Sequence, residues 1–456
     1  MSTASKQIEN NTKASEVPSV AGHWLLGSLL EFKRAPHEFI RSIAVPGQGL
    51  VQFRLFHKPM FVITDIPAAT EIFKTHSQNF PRGAQRKALQ SVLGLGLITQ
   101  EGKLWKHQRR VVAQAFRQDF LQYSLDQNGR LVSDLLQSWE PRIGSGEAVD
   151  AVEEMRRVTL SVIVRALFSI DIDLARNEKL YQAIINANHY MFKRHTSLLR
   201  LPDWIPTPLN RAIAETRITM NKFIDECLAN KEADSSRQSQ DIVDHFLEQE
   251  AQGEMSRVQI YDEIRTLLVA GFETTATSLA WTLYLIARHP EVSKEWHQEL
   301  DQQLGGRVPV WEDMKNLPVT ESIVKEGLRL YPPAYALTRT SVEEMEINGL
   351  RIPAGASLAL SIYGIQHSEQ YFDSPECFDP GRFRRGSSEE GFIPFGLGKH
   401  VCIGNRFSIL EATLILACIG QRFTISQFTD KTIIPNAQVT LLPSEPIELR
   451  LTPRQG

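Results

Sequence analysis

Cysteine is scarce in this sequence: Cys227, Cys377, Cys402 and Cys418 are the 4 among 456 residues. So few cannot make a disulfide framework, and no C-x-x-C pair is present to build a structural zinc site. A reducing cytoplasm is the expected location. An excess of charge of one sign is also lacking, since 50 Lys and Arg stand against 53 Asp and Glu for a net charge of -3. That balance speaks against nucleic acid as a partner. Long apolar runs are missing too. Trp24 to Leu30 is far too short to span a bilayer, so no transmembrane anchor is expected. The opening MSTASKQIENNTKASEVPSV has no apolar stretch of the kind a secretory signal needs. Residues 1–17 are expected to be a disordered lead, and 18–456 a single domain, because no Gly/Ser linker or internal repeat divides the rest.

What is present is ordinary globular composition, 42% hydrophobic and 23% charged. "VQFRLFHKPMFVIT" (Val51 to Thr64) reads as a β-hairpin turning at His-Lys-Pro. Ile66 to Phe168 is mostly helical in pattern. "LPDWIPTP" (Leu201 to Pro208) must be a loop, since its prolines cannot sit inside a helix. "KEADSSRQSQ" (Lys231 to Gln240) is polar and expected to be exposed. Val258 to His289 is a long helical run stopped by Pro290, apolar on nearly every face, which predicts a helix through the core. Pro318 opens another helix ending near Tyr331. Short strands are expected over Glu344 to Ser361 and in the tail after Phe423, with a helix from Asn405 between them. The fold class is mainly α with minor β.

One stretch carries chemistry. In "FGLGKHVCIGNRFS" (Phe395 to Ser408), Cys402 sits among Gly396, Gly398 and Gly404, where a helix begins. A lone cysteine is usually an inert small hydrophobe. Here the free N–H groups of a helix start and the helix dipole favour a thiolate, and glycines let backbone pass close to something bulky. A thiolate held by N–H donors suits an axial metal ligand.

The segment resembles the haem-binding signature of the cytochrome P450 superfamily, of the soluble bacterial type, F-x-x-G-x-[RH]-x-C-x-G: Phe395, Gly398, His400, Cys402 and Gly404 fill its fixed places. The resemblance implies a single large cytochrome P450 fold, with haem between the long core helix and the Cys-loop helix. It makes Cys402 the proximal iron ligand, Phe395 the shield of its sulfur, and His400 a neighbour of a haem propionate. "WKHQR" places Trp105 and Arg109 on one helix face and resembles the family's W-x-x-x-R pair, which binds a propionate. Arg339, in "LTRT", is a candidate for the same role or a plain strand arginine. Glu326 and Arg329, in "EGLR", can pair along a helix. They resemble the family's E-x-x-R helix, and "FDPGRF" would bring Arg382 to them as a buried structural network, although Gly381 stands where the family has Glu.

"AGFETT" (Ala270 to Thr275) matches the family's [AG]-G-x-[DE]-T-[TS] in the middle of the core helix. Ala270 and Gly271 would keep bulk away from the iron's open face, and Glu273 with Thr274 would relay protons to bound oxygen. A thiolate pushing electrons and an acid supplying protons require each other in O–O cleavage. By resemblance, then, the protein binds haem b and O2. It would take two electrons from a ferredoxin or flavodoxin fed by an NAD(P)H reductase, since no flavin or iron–sulfur segment is seen. It would hydroxylate or epoxidise a lipophilic small molecule such as a fatty acid, terpenoid or polyketide. Lys103, Lys106, Arg110, Lys399 and Arg406 are the candidate dock for the electron donor, or a solvated basic face. Val269, Tyr335, Ala336 and Leu337 are the candidate pocket lining, with the stretch Phe80 to Leu97. Two other readings keep Cys402: a peroxide-driven hydroxylase, which needs no relay, and a haem-thiolate sensor without activity.

Overall fold

The structure is a computed structural model that describes residues 15–454 except 46, 84, 141–142, 144–145, 198–200, 234–240 and 387–388. In chain order the helices are α1 (Leu29–Arg34), α2 (Pro36–Ser42), α3 (Ile66–Thr70), α4 (Gln85–Leu93), α5 (Gly102–Gln114), α6 (Gln118–Gln137), α7 (Ala151–Phe168) and α8 (Glu178–Thr196). They continue as α9 (Pro208–Ala233), α10 (Ile242–Ala251), α11 (Arg257–Arg288), α12 (Pro290–Gln303), α13 (Pro318–Leu330), α14 (Ile362–Gln366) and α15 (Asn405–Arg422). The strands are β1 (Ser15–Glu16), β2 (Leu50–Leu55), β3 (Lys58–Ile63), β4 (Val149–Asp150), β5 (Ala336–Thr340), β6 (Met345–Ile347), β7 (Leu350–Ile352), β8 (Ser357–Ser361), β9 (Phe423–Gln427), β10 (Pro435–Ala437), β11 (Leu441–Pro443) and β12 (Glu448–Pro453).

The chain forms two compact units. The first comprises residues 1–83, 336–365 and 397–400. Its larger sheet has the order β2-β3-β8-β5, and its smaller one the order β1-β7-β6. The expected hairpin is β2–β3, with Phe56 at φ 53 in the turn, so the tight bend falls one residue earlier than the His-Lys-Pro reading placed it. Ser15 and Glu16, which the sequence reading assigned to the disordered lead, pair in parallel with Leu350 and Arg351, and Val17 is buried. The remainder of that lead, residues 1–14, lies outside the described residues.

The second unit holds the long helices and the sheets β4-β12-β9 and β10-β11. Its axis is α11. Ser256 and Gln259 close a reciprocal capping box at the start, and Pro290 opens the next helix directly after it. From Asp262 to Ile286 nearly every α11 residue is buried, as an apolar sequence without a polar face requires. Helix α7 packs along α11, and α13 and α15 close its far end. Gly327 allows the α11–α13 approach, since a Cβ there would overlap the Thr282 hydroxyl. Lys231 is not exposed, as its polar surroundings suggested. It lies at the end of α9, buried, and pairs with Asp241 and with Asp244 at 2.8 Å. Residues 234–240 of that stretch lie outside the described residues.

Candidate active site

Cys402 precedes the first residue of α15 by a short turn, with Gly404 at the helix cap. Its N–H donates to the Phe395 carbonyl at 3.0 Å, which folds the loop back on itself, and the Gly404 N–H hydrogen-bonds the sulfur. The thiol is reachable by water yet surrounded by protein on nearly all sides, as a group lining an interior cleft would be. Burial pushes its pKa up; the Gly404 N–H and the Arg109 charge pull the other way. A side chain at Gly404 would meet nothing within 4 Å, so open space borders the sulfur's turn.

Helix α5 supplies Trp105, which is buried, and Arg109, which is half-buried. Burial lowers the Arg109 pKa and the Cys402 sulfur raises it; no carboxylate acts on it among the described residues. A partly desolvated guanidinium beside a sulfur and open space suits an anion that the described residues do not supply.

On α11, Ala270, Gly271 and Thr274 are partly accessible, although the residues flanking them are buried. They form one stripe, so the core helix has a single open window. Thr274 Oγ1 donates to the Ala270 carbonyl at 2.7 Å. A Cβ at Gly271 would approach the Ile163 side chain of α7 at 3.1 Å, close enough that Ile163 would have to give by a few tenths of an ångström. Glu273 is turned away from the window. It is buried and forms an ion pair with Arg156 of α7 at 2.9 Å, leaving its Oε2 without a hydrogen bond. Burial alone would lower the Arg156 pKa, but the charge and hydrogen bond of Glu273 outweigh it and the pKa is raised.

The sequence pattern of Cytochrome P450 matches residues 17–451, nearly the whole chain. The chain belongs to the cytochrome P450 family. It is 29% identical over 454 residues to "Cyclooctatin synthase" of Streptomyces melanosporofaciens, covering 97% of this chain and 96% of that protein. It is 29% identical over 417 residues to "Cyclooctat-9-en-7-ol 5-monooxygenase" of the same organism, covering 90% and 89%. It is 28% identical over 457 residues to "Pentalenene oxygenase" of Streptomyces avermitilis, covering 97% of each. This P450 is therefore a monooxygenase, an oxidoreductase that binds haem, uses O2 and acts on a lipophilic small molecule. P450s of this kind are served by redox partners. Among the described residues no helix is long and apolar enough to cross a membrane.

The residues present fit haem in the second unit. An accessible sulfur with an N–H donor, an arginine without a carboxylate and open space at Gly404 lie together there. In the first unit, Arg339 is buried on β5, not exposed; its guanidinium stacks 4.3 Å over the Phe73 ring and donates to the Thr338 carbonyl at 2.8 Å. His400 is half-buried in a one-turn helix, Gly398–His400. Gly398, with φ +71, is required by a different neighbour than a ligand: a Cβ would overlap the Phe73 carbonyl.

Glu326, Arg329 and Arg382 come together as the motifs suggested. Glu326 accepts from Arg329 at 2.8 and 2.9 Å and from Arg382 at 3.0 Å. Arg329 also donates to the carbonyls of Gln366, Pro375 and Cys377 at 2.7, 2.8 and 3.1 Å. Gly381, where the family has Glu, leaves room for Asp379 and Arg385, which pair with each other.

The remaining candidates are less uniform. Val269 is buried in the core and is not part of the α11 window. Tyr335 donates to the Gln438 carbonyl at 3.3 Å, and burial pushes its pKa up to about 12. Ala336 and Leu337 are half-buried on β5. Of the basic residues, Lys103 and Lys106 are exposed on α5, whereas Arg110 is paired with Glu254 at 3.0 Å and Arg406 stacks on Trp311. Lys399 donates to the Ser77 carbonyl at 3.0 Å. Sequence reasoning missed Arg156, Glu263 and Glu411. Each is an ionisable side chain on a core helix, and none has a motif around it.

Proposed function

We propose that this P450 hydroxylates or epoxidises a cyclic terpenoid hydrocarbon or alcohol. Support comes from two relatives whose names specify an alkenol and an alkene as what they oxidise. Fatty acids and polyketides share the apolar character and are the competing classes. The cofactor would be haem b, which when bound would supply the chemistry of O2 activation, with the Cys402 thiolate holding it. The observation that carries the reading is the accessible Cys402 sulfur beside Arg109.

In this reading Cys402 is the ligand, and the Gly404 N–H holds its negative charge. Trp105 and Arg109 bind a propionate, and within the first unit Arg339 and His400 are the candidates for that role. Phe395 covers the sulfur. Ala270 and Gly271 leave the window open, and Thr274 presents its hydroxyl there. Glu273 is the proton reservoir behind it, released when it exchanges Arg156 for water. Glu326, Arg329 and Arg382 hold the scaffold. The protein is cytoplasmic and takes electrons singly from a ferredoxin or flavodoxin steered to Lys103 and Lys106.

A purified sample reduced under carbon monoxide should give the Soret band of a cysteinate-bound haem, and a terpenoid panel should shift the resting Soret band. A carbon monoxide spectrum of the histidine-ligated type rejects the reading. Turnover with NAD(P)H, reductase and ferredoxin should fall steeply as salt rises. One observation favours the peroxide-driven alternative: Glu273 is held by Arg156, away from the window. Faster turnover with hydrogen peroxide than with the electron-transfer chain would decide for it.

A further inference from the structure

The turn between α4 and α5, Gly94 to Thr99, is strapped across the first third of α11. The Leu95 N–H donates to Asp262 Oδ2 at 2.7 Å, and the Leu97 N–H donates to Glu263 Oε2 at 3.1 Å. From α5, Gln108 Nε2 donates to the Leu95 carbonyl at 2.9 Å. Thr99 Oγ1 donates to the Gly94 carbonyl at 2.7 Å and is within 3.1 Å of the Gly96 carbonyl. Two glycines allow the contact to be this close. A Cβ on Gly94, which has φ +76, would overlap the Asp262 carboxylate, and one on Gly96 would overlap the Thr266 hydroxyl.

Asp262 and Glu263 are adjacent and both buried, but their circumstances differ. Asp262 is paired with Arg265, which also reaches Asn221 of α9. No cation pairs with Glu263 among the described residues, and its Oε1 has no hydrogen-bond partner. Burial pushes its pKa up to about 8, so at neutral pH it is an uncharged acid whose accepting oxygen serves the Leu97 N–H. Glu263, Thr266, Ala270 and Thr274 follow one another at helical spacing on the same face of α11. The strap therefore covers the upstream half of the stripe whose downstream half is the open window. It ends at Thr266, about 6 Å along the axis before Ala270.

We propose that Glu263 is a positioning residue for the monooxygenase reaction: through the Leu97 N–H it fixes the Gly94–Thr99 strap as the upstream wall of the Ala270–Thr274 window, and so limits the bulk that can lie along α11. This goes beyond the proposed function by assigning a control of ligand size, and it rests on that reading only in taking the window as the ligand side.

The test is made on the haem-loaded full chain. Amide hydrogen exchange at Leu97 and the affinities of imidazole and 4-phenylimidazole, read from Soret shifts, are measured in three proteins. Glu263→Leu should speed Leu97 exchange about tenfold or more. It should also change the ratio of the two affinities at least about threefold, because only the larger probe meets the wall. Glu263→Gln, similar in shape and uncharged, should keep both near wild type. Wild-type exchange at Leu97 in Glu263→Leu, or faster exchange with an unmoved affinity ratio, overturns the proposal. Should Glu263→Leu fail to fold, Gly96→Ala lifts the strap by steric contact with Thr266, and the same two readings decide in the same sense. Exchange is read without turnover, so a failed strap is distinguishable from a failed monooxygenase, which would show in the carbon monoxide spectrum.

Discussion

Glu273 Oε1 and Arg156 Nη2 meet at 2.9 Å in the buried contact between α11 and α7. The motif that suggests Glu273 says nothing of its partner 117 residues earlier. A buried pair contributes little net stability, yet removing one member strands a charge. Arg156→Leu should therefore cost about 3 kcal/mol. Adding Glu273→Leu should return most of that loss. Urea unfolding of the two single variants and the double variant measures the coupling; additive losses would show that the pair does not act as a unit.

Thr274→Ala should leave stability within about 1 kcal/mol of wild type, because the lost bond is to a carbonyl of its own helix and alanine favours helix. Product formed per NAD(P)H should nonetheless fall severalfold, with hydrogen peroxide appearing in its place. Unchanged coupling would remove Thr274 from the proton path.

Glu326 is paired with two guanidiniums, and neither it nor Arg329 is exposed. Glu326→Gln should destabilise by about 3–5 kcal/mol, the cost of breaking a buried ionic network from one side. The yield of haem-loaded protein should drop with it. A variant that unfolds at the wild-type urea midpoint and loads haem fully would show the network to be dispensable.

Glu411 sits on α15 among Leu121, Leu125, Asn128, Phe407, Leu410 and Leu414, and burial alone pushes its pKa up to about 8. In the unfolded chain a Glu titrates near 4.3. The native state therefore binds the extra proton between these values, and stability falls as pH rises through that window, by at most about 1.4 kcal/mol per pH unit. Glu263 adds a contribution of the same sign. Urea midpoints should be lower at pH 8 than at pH 6, and Glu411→Gln should reduce the difference. A wild-type midpoint that rises over this range would contradict the assignment.

The local elements were legible because their causes are local. Pro290 and Pro318 opened helices where proline is tolerated, and the all-round apolar run from Val258 had to be a core helix. The bend of the first hairpin and the burial of Lys231 were not, because each depends on a neighbour: the pairing register in one case, and Asp241 with Asp244 in the other.

Sequence by itself determined the fold class and marked the residues to which chemistry is proposed. A cysteine at a glycine-rich helix start, a Glu-Thr pair in a core helix and an E-x-x-R turn are short patterns whose meaning lies in their own spacing. Tertiary structure alone decided who faces whom. It turned Glu273 toward Arg156, set Gly271 against Ile163, gave Gly398 its reason in Phe73, and placed Glu263 under Leu97. The reason is physical: a buried charge or a missing Cβ is explained by whatever packs against it, and that neighbour comes from distant sequence.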